Sequence, residues 1–180
     1  TRDQMNRLID LLLERGTWMA VTRIVWHTIA HEWDPRPWDN PNLRYAPRPL
    51  LAWWRARKPH EFPREYWYDW ARAEGAMQIF IAHLIERGAK IIAGSDAPFV
   101  HVLPGFGLHE ELQLLLDCGM TPTQAIHAAT SELLTALIDA NGLRAPDLAS
   151  AVFTVTHDLT AAFPADQGVC LPDSLDKTGP

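Results

Sequence analysis

The sequence predicts a helix-rich α/β protein with two parallel strands. Two observations support this prediction. Apolar residues recur at helical spacing through most of residues 3–139. Two of these helical stretches end in a glycine that is followed directly by a β-type run. Successive helix–glycine–strand units of this kind place their strands side by side and parallel, with the helices as connections.

The first helix–glycine–strand unit covers residues 3–26. The apolar stripe of its helix consists of Met5, Leu8, Ile9, Leu12 and Leu13. Gly16 follows as a left-handed C-terminal cap, because glycine has no Cβ to oppose a positive φ. The run from Thr17 to Trp26 is rich in β-branched and aromatic residues, so it predicts a strand that ends before His27.

The sequence of residues 32–49 predicts a long loop whose backbone is restrained by prolines. Its prolines lack a backbone donor and hold their neighbours out of helical geometry. These prolines are Pro35, Pro37, Pro41, Pro47 and Pro49. The segment also contains Trp33, Trp38 and Tyr45. We interpret these aromatic side chains as packing the loop onto the body of the protein, with a lid or a binding segment as the alternative.

The second unit begins with a short helix at about residues 50–57 and a long helix that follows Pro63 and runs to Arg87. The apolar stripe of the long helix consists of Trp67, Trp70, Ala73, Met77, Phe80, Ile81, Leu84 and Ile85. Gly88 closes this helix, and the apolar run from Ala89 follows as the second strand.

Two further helices are predicted at about residues 107–118 and 122–139. Thr121 precedes the second of them as its N-terminal cap, and a proline occupies the first helical position. Beyond this helix the periodic pattern stops. The sequence therefore predicts one domain over residues 1–142 and an irregular C-terminal tail over residues 143–180.

Composition narrows the function classes. The 180 residues are 47% hydrophobic and 21% charged, and they contain no long apolar span for a membrane. The net charge of −6 argues against nucleic-acid binding. Two cysteines make no disulfide framework. We therefore expect a soluble, cytoplasmic protein with a small-molecule substrate and no nucleic-acid or membrane partner.

The second strand ends in a sequence typical of a site at a strand end. The apolar run is followed by Gly94, Ser95 and Asp96. Side chains at the carboxyl end of a parallel strand face the crevice where ligands bind. Asp96 is therefore the first candidate for a catalytic residue, and an aspartate that only caps the following turn is the alternative.

This strand end, together with Leu108-His109-Glu110-Glu111-Leu112 and Gly119-Met120-Thr121-Pro122, resembles the last βα unit of the amidohydrolase superfamily. Members of that superfamily are metal-dependent hydrolases built on a (β/α)8 barrel. Because a complete barrel needs about 250 residues, the resemblance implies a partial (β/α)8-barrel fragment over roughly residues 1–139. The His-x-His pair of the superfamily does not occur in this chain, so only Asp96 carries over as a metal ligand.

The resemblance implies a hydrolase of carboxylic ester or amide bonds in which water is activated at Asp96. It places His109 at the start of a helix beside the site, with Glu111 as a brace of the scaffold. A catalytically silent remnant or binding module is the alternative, because the other metal ligands of the superfamily are missing.

Two further sets of residues could contribute chemistry. His27 and His31 are four residues apart, so with a carboxylate such as Asp96 or Glu32 as third ligand they could hold zinc or another divalent metal, and His27 is the better placed of the two. Solvated or hydrogen-bonded histidines are the alternative. Ser95, Asp96 and His101 supply a hydroxyl, a carboxylate and an imidazole, which leaves open a metal-free serine-type esterase, although no Gly-x-Ser-x-Gly turn is present.

Two strands are too few for an independent sheet. A pair of parallel strands leaves two edges and an apolar face uncovered. We therefore predict a homo-oligomer in which neighbouring subunits complete or cover the partial barrel.

Overall fold

The structure of the protein is a computed structural model that describes residues 2–142, apart from the side chains of residues 131–133, 135–137 and 139. The predicted tail of residues 143–180 lies outside the described residues, so the division at residue 142 stays a prediction. No helix within the described range is both long enough and apolar enough to cross a membrane.

Helices dominate the described part of the chain. The elements in chain order are α1 (Arg2–Glu14), β1 (Trp18–Ala20), α2 (Arg23–Ala30), α3 (Arg48–Arg55), α4 (Arg64–Glu86), β2 (Lys90–Ile92), α5 (Phe106–Asp117) and α6 (Pro122–Asn141). Short 3-10 segments at Arg36–Asp39, Pro41–Tyr45 and Pro59–Glu61 fill the connections around α3.

The two strands form a parallel pair. Met19 of β1 lies opposite Ile91 of β2, and the pairing extends one residue to either side. A helix-rich arrangement with two parallel strands is therefore present, as the sequence indicates. The partial barrel and the homo-oligomer that would complete or cover it stay predictions.

The predicted strand over residues 17–26 is wrong beyond Ala20. Thr22 adopts a left-handed conformation, with φ 41° and ψ 51°, and α2 begins at the next residue. Thr22 supplies no side-chain cap for this helix. Instead Glu111 of α5 accepts hydrogen bonds from the backbone N–H of Arg23 at 2.9 Å and of Ile24 at 2.6 Å. A distant carboxylate thus satisfies N–H groups that a helix start leaves open, and it overrides the local β propensity.

The chain divides into two compact units, Thr1–Met120 and Thr121–Pro180. In the first unit, α2 packs against both α4 and α5. Side chains from four helices form its core and are fully buried, namely Ile9, Ile24, Ile81, Leu84 and Leu115. The positions of His27 and of its neighbours on α4 follow from this packing.

In the second unit, α6 begins with a reciprocal cap. The Thr121 hydroxyl accepts a hydrogen bond from the backbone N–H of Gln124 at 3.3 Å, and the Gln124 side chain accepts one from the Thr121 N–H at 2.8 Å. This is the capping-box arrangement of helix starts. The predicted cap at Thr121 is confirmed.

The loop of residues 32–49 is more regular than its proline content predicts, because two of its segments form 3-10 turns. Trp38 packs against a buried cluster of Trp54, Val100 and Leu103. Tyr45 is 61% exposed, although its ring stacks on Phe106. The aromatic residues therefore anchor this loop to the body of the first unit only in part.

Candidate functional site

Asp96 lies in the turn that follows β2, where the sequence places it. Its backbone is left-handed, with φ 51°, and its carbonyl accepts a hydrogen bond from the Phe99 N–H at 3.2 Å. The side chain is exposed. Among the described residues its carboxylate takes part in no hydrogen bond or ion pair. The turn therefore presents Asp96 to solvent without a partner that could tune or orient it.

The other three predicted catalytic residues lie in different surroundings, and the first of them, Ser95, is half-buried. His101 is buried, with its ring 4.6 Å from that of Trp38 and 5.4 Å from that of Trp54. Its Nδ1 has no hydrogen-bond partner within the described residues, so no hydrogen bond joins it to Ser95 or Asp96. His109 is exposed on α5. The structure therefore provides no hydrogen-bonded chain through Ser95, Asp96 and His101.

Burial also sets the protonation of His101. Enclosure by the two indole rings lowers the pKa of His101, and the nearby Glu32 carboxylate offsets only part of this effect. The imidazole is thus held in its neutral form more strongly than a solvated histidine.

A cluster of titratable side chains lies instead between α2 and α4. His27 Nδ1 is 2.8 Å from Glu74 Oε1, and His31 Nδ1 is 3.8 Å from Glu74 Oε2. The two imidazole rings are 4.3 Å apart. Arg23 donates a hydrogen bond through Nη2 to Glu74 Oε1 at 2.9 Å. We call His27, His31 and Glu74 the His–Glu cluster.

The His–Glu cluster differs from the metal site that the sequence suggests. His27 is predicted to share a metal with Asp96, but its carboxylate partner is Glu74. Glu32, the other nearby carboxylate, forms a two-point ion pair with Arg57. Glu74 is missed at the level of sequence because it is 47 residues from His27 on another helix. The sequence does contain one indication of it, because Glu74 is a charged residue directly after Ala73, next to the apolar stripe of α4.

Glu74 of this cluster lies beside the buried guanidinium group of Arg23. Burial by itself raises the pKa of Glu74, but hydrogen bonds from His27 and Arg23 outweigh it, so the pKa of Glu74 is lowered. Arg23 is 4% exposed, and its Nε and Nη1 have no hydrogen-bond partner within the described residues. Glu74 is consequently held as a carboxylate beside a buried cation.

Two cavities open beside His31. One of about 420 Å³ is lined by His27, His31, Asp34, Arg36, Pro37 and Asn40. The other, of about 540 Å³, is lined by Ala30, His31, Trp33, Arg64, Trp67, Tyr68 and Ala71. Both have the dimensions of small-molecule sites. A small ligand in the first cavity would contact both imidazoles of the His–Glu cluster.

Comparison with known proteins points to a family that none of these side chains suggests. Residues 118–168 match the family model of Chorismate mutase type I. The protein Chorismate mutase AroH of Thermus thermophilus is 54% identical to this chain over 44 residues, which are 24% of this chain and 36% of that relative. The chain thus spans about a third of the relative's length. No solved structure matches the chain.

These findings overturn the resemblance to the amidohydrolase superfamily. The matched segment begins at Cys118 and includes the Gly119–Pro122 stretch on which that resemblance partly rests. The structure explains why this stretch misleads, because Thr121 and Pro122 form a helix start of a kind found in many families. The hydrolase, amidohydrolase and esterase assignments are wrong, and the metal-binding character that came with them loses its basis. Contacts of Ser95, Asp96, His101 and His109 with a ligand stay predictions.

Proposed function

We propose that this protein isomerises chorismate. The observation that supports the proposal is the 54% identity over 44 residues to a chorismate mutase, within a segment that also matches the Chorismate mutase type I model. On this proposal the protein is an enzyme with a small-molecule substrate, and its reaction is an intramolecular rearrangement instead of a hydrolysis.

An isomerisation makes different demands on a site than hydrolysis does. Reactant and product contain the same atoms, so no water has to be activated. Catalysis then depends on holding one reactive conformation of the substrate and on stabilising the charge that develops during the rearrangement. Such a reaction does not need the water activation that the resemblance assigns to Asp96.

The charge of the substrate suggests which residue of the matched segment to test. Chorismate has two carboxylate groups, and proteins bind carboxylates best with guanidinium groups that donate two parallel hydrogen bonds. Arg144 is the single arginine or lysine in the sequence of residues 118–168. It lies outside the described residues. We infer that Arg144 binds one carboxylate of chorismate.

The test uses the purified full-length chain and chorismate. Liquid chromatography with mass detection should show saturable loss of chorismate and the appearance of an isomer with the same mass. Loss of one charged donor costs about 100-fold in rate at comparable sites, so we expect Arg144→Ala to lower kcat/KM by about that factor and Arg144→Lys by less.

The matched control is Arg72→Ala, because Arg72 is an exposed arginine of α4 whose ion pair within the described residues is with Asp69, three residues away. This variant should keep wild-type turnover. Absence of turnover by folded wild-type protein would refute the proposal. Equal activity of the Arg72 and Arg144 variants would refute the role of Arg144 alone.

A further inference from the structure

We propose that the His–Glu cluster is a binding site for one divalent transition-metal ion of the zinc class. The proposal concerns His27, His31 and Glu74 in the first unit, and it depends neither on the overturned family resemblance nor on chorismate turnover. One nitrogen or oxygen atom from each of the three residues lies within 4.8 Å of the others. Asp96 is not part of this group.

The distances are close to those that a metal requires. Zinc binds nitrogen and oxygen at about 2.0–2.2 Å in a tetrahedral arrangement, which places neighbouring ligand atoms roughly 3.3 Å apart. One possible ligand atom of each of His27, His31 and Glu74 lies within 4.8 Å of the other two, so a small inward movement of the side chains would bring them to that spacing. Metal binding would replace the present hydrogen bond between His27 Nδ1 and Glu74 Oε1, which are 2.8 Å apart.

The fold fixes the backbones of all three residues. Because His27 and His31 are four residues apart, their side chains lie on one face at the end of α2. α2 packs on α4, and Trp26, which precedes His27, contacts Trp70 of α4 with the two rings 5.8 Å apart. Glu74 is one helical turn beyond Trp70 on the same face of α4. The two aromatic rings therefore set the register that brings Glu74 to the histidines.

Hydrogen bonds orient the His31 ring and the Glu74 carboxylate. The Nδ1 of His31 is 2.8 Å from the carbonyl oxygen of His27, and a carbonyl can only accept, so Nδ1 bears the proton. The Nε2 of neutral His31 is then unprotonated and free to bind a metal. Metal-binding histidines commonly donate their other ring N–H to a backbone carbonyl, which fixes the ring orientation. Arg23 holds the Glu74 carboxylate from its buried side in a similar way.

The cluster is open on the side that a metal ion must enter. The side chains of His27 and His31 are 44% and 40% exposed, and both line the cavity of about 420 Å³. Two histidines and one glutamate make three protein ligands, so a fourth position faces this cavity. Asp34 and Arg36 also line it and neutralise each other as an ion pair. The ligand set of two imidazoles and one carboxylate suits zinc, whereas magnesium and calcium prefer oxygen ligands alone.

The test is direct metal binding by the full-length chain. Protein that has been treated with a chelator and dialysed is titrated with ZnCl₂ in a calorimeter, and cobalt(II) is added separately to record the visible absorption of a tetrahedral site. We expect one ion per chain. Since second-shell changes alone weaken metal binding by about 10- to 100-fold, removal of a ligand in His27→Gln or His31→Gln should weaken it by about 100-fold or more.

Two further variants make the outcome decisive. His60→Gln is the matched control, because His60 is an exposed histidine of the Pro59–Glu61 segment, outside both helices and outside the His–Glu cluster. Glu74→Gln removes the third ligand, but it also removes an ion pair to Arg23, so its folding is checked by circular dichroism. His31→Gln removes a bond to a backbone carbonyl, a 3.8 Å ion pair and the ring contact with His27, but no buried ion pair, and it is the variant that decides. Absence of zinc binding by the wild type, or equal affinity of the His31 and His60 variants, would overturn the site.

Discussion

Two carboxylates of the first unit, Asp96 and Glu111, show how differently a sequence motif and a fold can use the same chemical group. Asp96 follows a strand in a recognisable turn, yet its side chain is exposed and has no partner among the described residues. For Glu111 the sequence predicts no contact with a ligand, only a role as a brace of the scaffold. It is fully buried and accepts two backbone hydrogen bonds at the start of α2.

The two residues differ in their hydrogen-bond partners, because Glu111 binds two backbone N–H groups and the Asp96 side chain binds none among the described residues. Burial raises the pKa of Glu111, and the N–H groups of Arg23 and Ile24 act in the opposite direction by binding its ionised form. A carboxylate in this position holds α2 in place and with it His27 and His31. Asp96 has a position in the chain but no comparable connection to the rest of the fold. We therefore expect substitutions of Glu111 to lower the free energy of unfolding much more than substitutions of Asp96.

The largest effect should follow Glu111→Ala. This change leaves the N–H groups of Arg23 and Ile24 unsatisfied, opens a cavity and removes one of the negative charges near the buried Arg23 guanidinium. Together these losses should lower the free energy of unfolding by about 4 kcal/mol, measured by urea unfolding with tryptophan fluorescence. Glu110→Ala is the matched control on the same helix. Partial burial raises the pKa of Glu110, but its side chain reaches solvent and forms no hydrogen bond or ion pair among the described residues, so the change should alter stability by less than about 0.5 kcal/mol. Equal stabilities of the two variants would show that Glu111 does not stabilise the start of α2.

Local sequence signals predict much of this fold. The long helix α4 is expected between Pro63 and Gly88 and is found at Arg64–Glu86, because its apolar period and end signals are all local. The second strand and the cap at Thr121 are also found where the sequence places them. The signals for these elements are all local, although β2 itself pairs with the distant strand β1.

The parts that the sequence mispredicts depend on distant partners. Arg23–Ala30 contains β-branched and aromatic residues, but it is a helix because Glu111, 88 residues from Arg23, binds its N-terminus. The His–Glu cluster likewise forms only when α2 and α4 pack together. A charged residue inside an apolar stripe, as at Glu74 and Glu111, indicates that a buried charge has a partner elsewhere in the fold. The sequence does not show which residue that partner is.

A smaller effect concerns pH and comes from the loop that contains Asp96 and His101. Because burial lowers the pKa of His101 in the folded protein, the unfolded chain takes up a proton there at a higher pH than the folded chain does. Above about pH 6.5 both forms are neutral and the residue adds nothing to the pH dependence. Below it, stability falls as pH falls, by up to about 1.4 kcal/mol per pH unit, until the folded-state pKa is reached.

His101→Asn isolates this effect, since asparagine tolerates the positive φ of 58° at this position. Between pH 6.5 and 5.5, wild-type stability should fall more than that of the variant, by at most about 1 kcal/mol, as measured by urea unfolding at each pH. His109→Asn, at an exposed position of α5, should follow the wild-type slope. Parallel slopes for the wild type and His101→Asn would mean that the buried imidazole is protonated as easily as one in the unfolded chain.

The smallest effect is expected at Asp96 itself. Asp96→Asn keeps a residue type that tolerates the left-handed backbone at φ 51°, and it removes a charge that has no partner among the described residues. Its unfolding free energy at pH 7 should therefore lie within about 0.5 kcal/mol of the wild-type value, whereas Asp96→Val should cost more, because a β-branched residue is strained at this φ. A loss above about 1 kcal/mol in Asp96→Asn would show that the carboxylate has a partner in the assembled protein. In that case the contrast with Glu111 would be one of degree, and the turn after β2 would again be the first place to look for a bound ligand.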